Sequence, residues 1–96
     1  MKTLDINAKE WFDKVNGNSY FSADVTVDLG IDTEKNFVIP FQYGYGEHYR
    51  DAAFSLIKKE LNIKTDDCLW RYCRDNNIIL RSSKQENCLK RDLAKV

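Results

Sequence analysis

Ninety-six residues are expected to form one domain, 1–96, near the lower end of what folds unaided. Fifteen basic residues balance fifteen acidic ones, which argues against a general nucleic-acid binder with its basic excess and against a polyacidic nucleic-acid mimic. A hydrophobic fraction of 43%, with two Trp, five Tyr and five Phe, is enough for a core. The opening MKTLDINAKEW shows no apolar signal-peptide region, and no apolar run approaches the ~20 residues that span a bilayer. Cys68, Cys73 and Cys88 are odd in number and lack C-x-x-C spacing, so the expectation is reduced thiols in a cytosolic protein.

Asn7 to Val15 admits two readings. As a helix, Asn7 and Glu10 form a capping box, Ala8, Trp11, Phe12 and Val15 share a face, and Gly17 is the C′ residue. As a hairpin strand, it turns at Asn16-Gly17, but Glu10 and Lys14 then share a face with Phe12 and spoil the core side. That conflict favours the helix. Ser19 to Val27 alternates cleanly, with Phe21, Ala23, Val25 and Val27 inward and Tyr20, Ser22, Asp24 and Thr26 outward.

The segment from Phe37 to Leu61 organises the rest. Phe37, Val38, Ile39, Phe41 and Tyr43 predict a strand antiparallel to its predecessor, and Pro40 predicts an edge or a bulge within it. Gly44 and Gly46 bracket Tyr45 in a sharp turn. Tyr49, Ala52, Ala53, Leu56, Ile57 and Leu61 then form one helical stripe. Asn62 to Asp67 is a polar break, Cys68 to Asp75 a short helix, and Ile78 to Ser82 a further strand. The tail from Lys84 reads as a helix or a late edge strand. The fold class is α+β: an antiparallel sheet of about three strands on one main amphipathic helix, with one or two short helices.

No catalytic arrangement emerges. Two glycines before a helix N-terminus can present N–H groups to an anion, but Glu47 in the first turn would repel a phosphate, so a packing turn is the stronger reading. His48, the only histidine, has no nucleophile in a suitable context nearby. Cys68 and Cys73 diverge by about 140° on a helix and match no zinc spacing. Asp66 and Asp67 suit a helix start, while Asp24 and Asp28 keep a strand soluble. Neither an enzyme nor a metal or cofactor site is expected. Tyr20, Tyr43, Tyr45, Tyr49 and Trp70 exceed the needs of a small core, and beside Arg and Lys they favour a binding module.

The segments WFDKVNGNSYFS (Trp11 to Ser22) and PFQYGYGEHY (Pro40 to Tyr49) resemble a pattern of small phage-encoded accessory proteins, across roughly the first 60 residues. That resemblance implies stoichiometric binding in the cytoplasm of a bacterial host, as in anti-CRISPR proteins. The implied partner is a Cas protein or its ribonucleoprotein complex, with guide RNA within reach and no membrane involved. The partner-binding residues expected are Tyr20, Tyr43, Tyr45, Tyr49 and Arg50, which cluster around the turn in sequence. The alternative is a small nucleic-acid- or nucleotide-binding accessory protein that uses the YGYG turn. The oligomeric state stays open, and an exposed edge strand could pair two copies.

Overall fold

The computed structural model describes residues 1–93. Strands β1 (Thr3–Asp13), β2 (Asn18–Val27) and β3 (Lys35–Tyr43) are followed by helices α1 (His48–Glu60) and α2 (Leu69–Asp75). Strand β4 (Ile79–Gln85) and a single turn, α3 (Lys90–Leu93), complete the domain. The last three residues of the predicted tail, 94–96, lie outside the described residues.

The fold is α+β, with one sheet in the order β3-β2-β1-β4. Neighbours β1–β2 and β2–β3 are antiparallel, while β4 runs parallel to β1. The sheet is therefore four-stranded and mixed, where the sequence predicts about three antiparallel strands. A parallel neighbour needs a long crossover, and α1 and α2 supply it by carrying the chain from the β3 edge to the β4 edge.

The segment favoured above as a helix over Asn7 to Val15 is β1, paired with β2 in a register that places Trp11 opposite Tyr20. Its turn is longer than Asn16-Gly17 alone: residues 14–17 reverse the chain, and Gly17 has φ +69°. The Asp13 carboxylate accepts the Val15 and Asn16 N–H groups at 3.0 and 3.3 Å, and the Asn16 amide at 2.8 Å. Glu10 does fall on the core side. It is neutralised there by Lys84, which reaches it from β4 at 2.9 Å, both side chains being nearly buried. The conflict that favours a helix in the sequence is thus resolved by a cation 74 residues away.

The inner face of β2 carries Phe21, Ala23, Val25 and Val27, all buried, as its alternation predicts. They meet Leu4, Ile6 and Ala8 of β1 and Tyr49, Ala53, Phe54 and Ile57 of α1. Leu69 and Cys73 of α2 close the core. Pro40 occupies an edge strand and also a bulge: Phe21 and Ala23 of β2 face Gln42 and Ile39, which leaves two residues of β3 opposite one. Both longer helices end alike. Asn62 and Asn77 take φ +55° and +56°, and the next residue, an isoleucine each time, donates its N–H five residues back, Ile63 to Lys58 at 2.9 Å and Ile78 to Cys73 at 2.8 Å.

Candidate partner-binding surface

On the face of the sheet opposite α1 and α2, strand alternation and register bring four aromatic rings together. Trp11 of β1 stacks on Tyr20 of β2 at 5.6 Å, and Tyr20 stacks on Phe41 of β3 at 5.1 Å and 9°. Tyr43 meets Tyr20 edge-on at 5.9 Å, and Phe41 lies 6.2 Å from Trp11. The Lys90 ammonium lies 5.3 Å from the Trp11 ring centre and 5.9 Å from that of Phe41, within cation–π range of both. Phe41 and Tyr43 are solvent-exposed. These contacts form an aromatic platform with the Lys90 ammonium above it.

The chain after β4 explains why the platform does not extend further along the sheet. Beyond Gln85 it crosses β1, where the Cys88 N–H donates to the Glu10 carbonyl at 3.0 Å. Helix α3 then lies on the outer face, Leu93 is buried, and the Ser22 hydroxyl donates to the Leu93 carbonyl at 2.8 Å. Ser22, expected on a wet face, is consequently buried. Farther along, Arg81 clasps Asp5 with two nitrogens at 2.7 and 3.0 Å, and that hydrogen-bonded charge raises the Arg81 pKa.

Of the five predicted binding residues, Tyr20 and Tyr43 are joined in the platform. Tyr45 is 69% exposed at the tip of the turn, where it lines, with Tyr43, Glu47, His48 and Asp51, a cleft of about 380 Å³. Tyr49 is a correction: at 4% exposure it is a core residue, because the first inward position of α1 falls on it. Arg50 faces another groove, beside Trp70, Arg74 and Leu80, and its guanidinium pairs with Glu47 at 3.4 Å. Trp11, Phe41 and Lys90 are absent from the prediction. The Asn16-Gly17 hairpin alternative would set Trp11 opposite Ser22; only the longer turn over 14–17 sets it opposite Tyr20.

The turn itself is built for packing. A Cβ on Gly44 would lie 2.7 Å from the His48 ring and 2.7 Å from the Phe21 ring, so only glycine lets these side chains close over the strand end. The His48 ring accordingly meets Phe21 edge-on at 5.8 Å. Lys84 donates to the Gly46 carbonyl at 3.0 Å and to Glu10. Burial opposes its charge, but the hydrogen bond to Glu10 and the carboxylates of Glu10, Glu86 and Glu47 together raise its pKa. Glu47 and Asp51 beside the turn are unfavourable to a phosphate. All three cysteines are free; Cys68 is exposed, and burial raises the Cys73 thiol pKa.

Compared with known proteins, the chain finds no matching family model, no matching curated protein and no matching solved structure. Among the described residues, no helix is long and apolar enough to cross a membrane.

Proposed function

We propose that this protein is a phage-encoded inhibitor of a bacterial defence system, which binds a partner stoichiometrically through its aromatic sheet face. The observation that supports a binding role is the contiguous stack of Trp11, Tyr20, Phe41 and Tyr43 with Lys90 beside it. Large rings held in place by a sheet lose little entropy on docking, which is why Trp and Tyr dominate the energetic centres of interfaces. The resemblance in Trp11 to Ser22 and Pro40 to Tyr49 supplies the partner: a Cas subunit of an effector complex in the host cytoplasm. The platform docks on that subunit, Lys90 and Lys9 come within reach of guide RNA, and target DNA is excluded.

The test is a target-binding assay with assembled Cas effector complexes, at inhibitor-to-complex ratios around one. Wild-type protein should block target DNA. The double variant Tyr20→Ala, Tyr43→Ala should not, while its far-UV circular dichroism stays unchanged. Full inhibition by that variant would move the site off the platform, and failure of wild-type protein against every complex tried would end this reading.

The second reading, a nucleic-acid-binding accessory protein, also draws on the stacked rings, because bases stack on such rings without sequence preference. It does not draw on the YGYG turn, whose acidic lining disfavours phosphate. Steeply salt-dependent binding of a single-stranded oligonucleotide, lost with Tyr20→Ala, would favour it over the first.

A further inference from the structure

The turn between β3 and α1 carries more than its packing role requires. Tyr43 and Tyr45, both more than half exposed, flank Gly44. With Gly44, Glu47, His48 and Asp51 they line the cleft of about 380 Å³ at the tip of the turn. The frame of that cleft is tied to the sheet. Tyr20 braces Tyr43 edge-on at 5.9 Å, and the Gly44 N–H donates to the Ser19 carbonyl at 3.1 Å. The Gly46 carbonyl accepts from Lys84, and the His48 ring rests against Phe21.

Its charges do not cancel. Two carboxylates line the cleft, and no lysine or arginine does. Glu47 is answered from outside by Arg50, an exposed pair at 3.4 Å, and such pairs contribute little in water. The Asp51 carboxylate is exposed and has no ion-pair or hydrogen-bond partner among the described residues. Nor does the helix end use the oxygens of Glu47, which caps α1 without a side-chain hydrogen bond. Two exposed tyrosine rings thus stand beside one carboxylate that nothing opposes.

We infer that this cleft receives the guanidinium of an arginine presented by a partner protein. A guanidinium is planar, so it stacks on tyrosine faces while its paired N–H groups engage a carboxylate, here that of Asp51. Other occupants satisfy less of the site. A phosphate or an acidic side chain meets two like charges, and an apolar one leaves Asp51 stranded under it. A metal ion lacks ligands, because among the described residues no three His, Cys, Asp or Glu side chains are placed to hold one. Tyr43 belongs to both the cleft and the aromatic platform, so a protein laid on the platform brings its own side chains to the cleft mouth. The inference rests on the binding role proposed for the platform only in assigning the arginine to that protein.

The test titrates the full chain, ¹⁵N-labelled, with acetyl-Ala-Arg-Ala-amide. Controls are the same peptide with citrulline or Lys in place of Arg, and free L-arginine. The Arg peptide should give saturable amide shifts centred on residues 43–51, with a Kd of about 5 mM. Citrulline keeps the shape without the charge and should bind about tenfold more weakly; Lys should also bind more weakly than Arg. Asp51→Asn and Tyr45→Ala, at exposed positions, should each weaken the Arg peptide several-fold in a chain with native circular dichroism. Asp24→Asn, which removes the same charge from the outer face of β2, should not. Five results would each overturn the inference. These are no saturable shift at about 20 mM Arg peptide, equal binding of either control peptide, unchanged binding by Asp51→Asn, and an equal loss with Asp24→Asn. The fifth is tighter binding of free L-arginine, which would make the occupant a small molecule. No Cas complex enters these measurements, so this inference and the proposed function fail separately.

Discussion

Replacing Lys84 with Met should be among the most damaging single changes on the sheet. The substitution keeps most of the side chain's length and removes only the charge. Glu10 would then remain on the core side of β1 with no other ion-pair partner among the described residues, while Glu86, 3.7 Å from the lost ammonium, would lose that contact as well. Breaking a fully buried ion pair costs about 3–5 kcal/mol. These side chains retain 13% and 15% of their exposure, so some water reaches them, and a loss of about 2–4 kcal/mol follows. For a domain of this size that amounts to a fall in Tm of roughly 10–20 °C. Urea denaturation followed by tryptophan fluorescence measures it directly.

The same reasoning makes two further demands. Glu10→Leu combined with Lys84→Met should recover most of the loss, because apolar replacement of both partners removes the stranded charge. The pH dependence has a definite sign. Folding raises the Lys84 pKa above its ordinary 10.5, so its contribution is complete below that value and fades as pH climbs through the raised folded value. On the alkaline side, the wild-type advantage over Lys84→Met should therefore begin to shrink only above pH 10.5. A single-variant loss below about 0.5 kcal/mol, or a double variant as unstable as the single one, would refute the account of β1 given above.

Three other expectations rest on equally local geometry. Asp28 accepts hydrogen bonds from the Lys2 N–H, the Thr33 hydroxyl and the Thr3 N–H, which hold its pKa at about 2 rather than 3.8. Its stabilisation is present above 3.8 and lost as pH falls through 2, so Asp28→Asn should flatten the acid limb of a stability–pH curve over that window. Gly44→Ala should cost about 2 kcal/mol in urea denaturation, since the added methyl meets the His48 and Phe21 rings at 2.7 Å. Tyr49→Ala should destabilise by about 3–4 kcal/mol, and any loss of binding it causes should track the fraction unfolded.

How much of this was legible in the sequence depends on where each residue's partner lies. Strand β2 could be read because its alternation is local and its core face uninterrupted. The ends of α1 and α2 follow from nearby residues, Asn62 and Asn77 with the isoleucines after them. Strand β1 was hidden because Glu10 violates its inward face, and the cation that permits this arrives on β4. The direction of β4 leaves no local signature at all; it is set by the crossover through α1 and α2. Tyr49 is placed correctly by the apolar stripe of α1, and its burial there is what conflicts with its place among the partner-binding residues. Trp11, Phe41 and Tyr20 come from three strands, so their stack depends on registers that single segments do not encode.

The placement of Pro40 connects the β3 edge with the platform. An edge strand carrying Val38, Phe41 and Tyr43 in the open is an aggregation hazard. The bulge at Pro40 interrupts that edge and, by adding a residue to β3, leaves both Phe41 and Tyr43 on the outer face with Tyr20. One device therefore blunts the edge and builds the platform. At the opposite edge, three strand spacings or about 14 Å away, β4 keeps its ladder unbroken and replaces blunting with cations and serines. Tyr43 on β3 is that far from β4 and Tyr20 on β2 about 10 Å, so effects of changes there and at β4 should add. Changes at Tyr20 and Tyr43 should then leave the β4 groove intact, and changes at Trp70 should leave the platform intact. The bulge at one edge and the ion-paired charges at the other keep a domain of this size from offering a continuous apolar strand to its own copies.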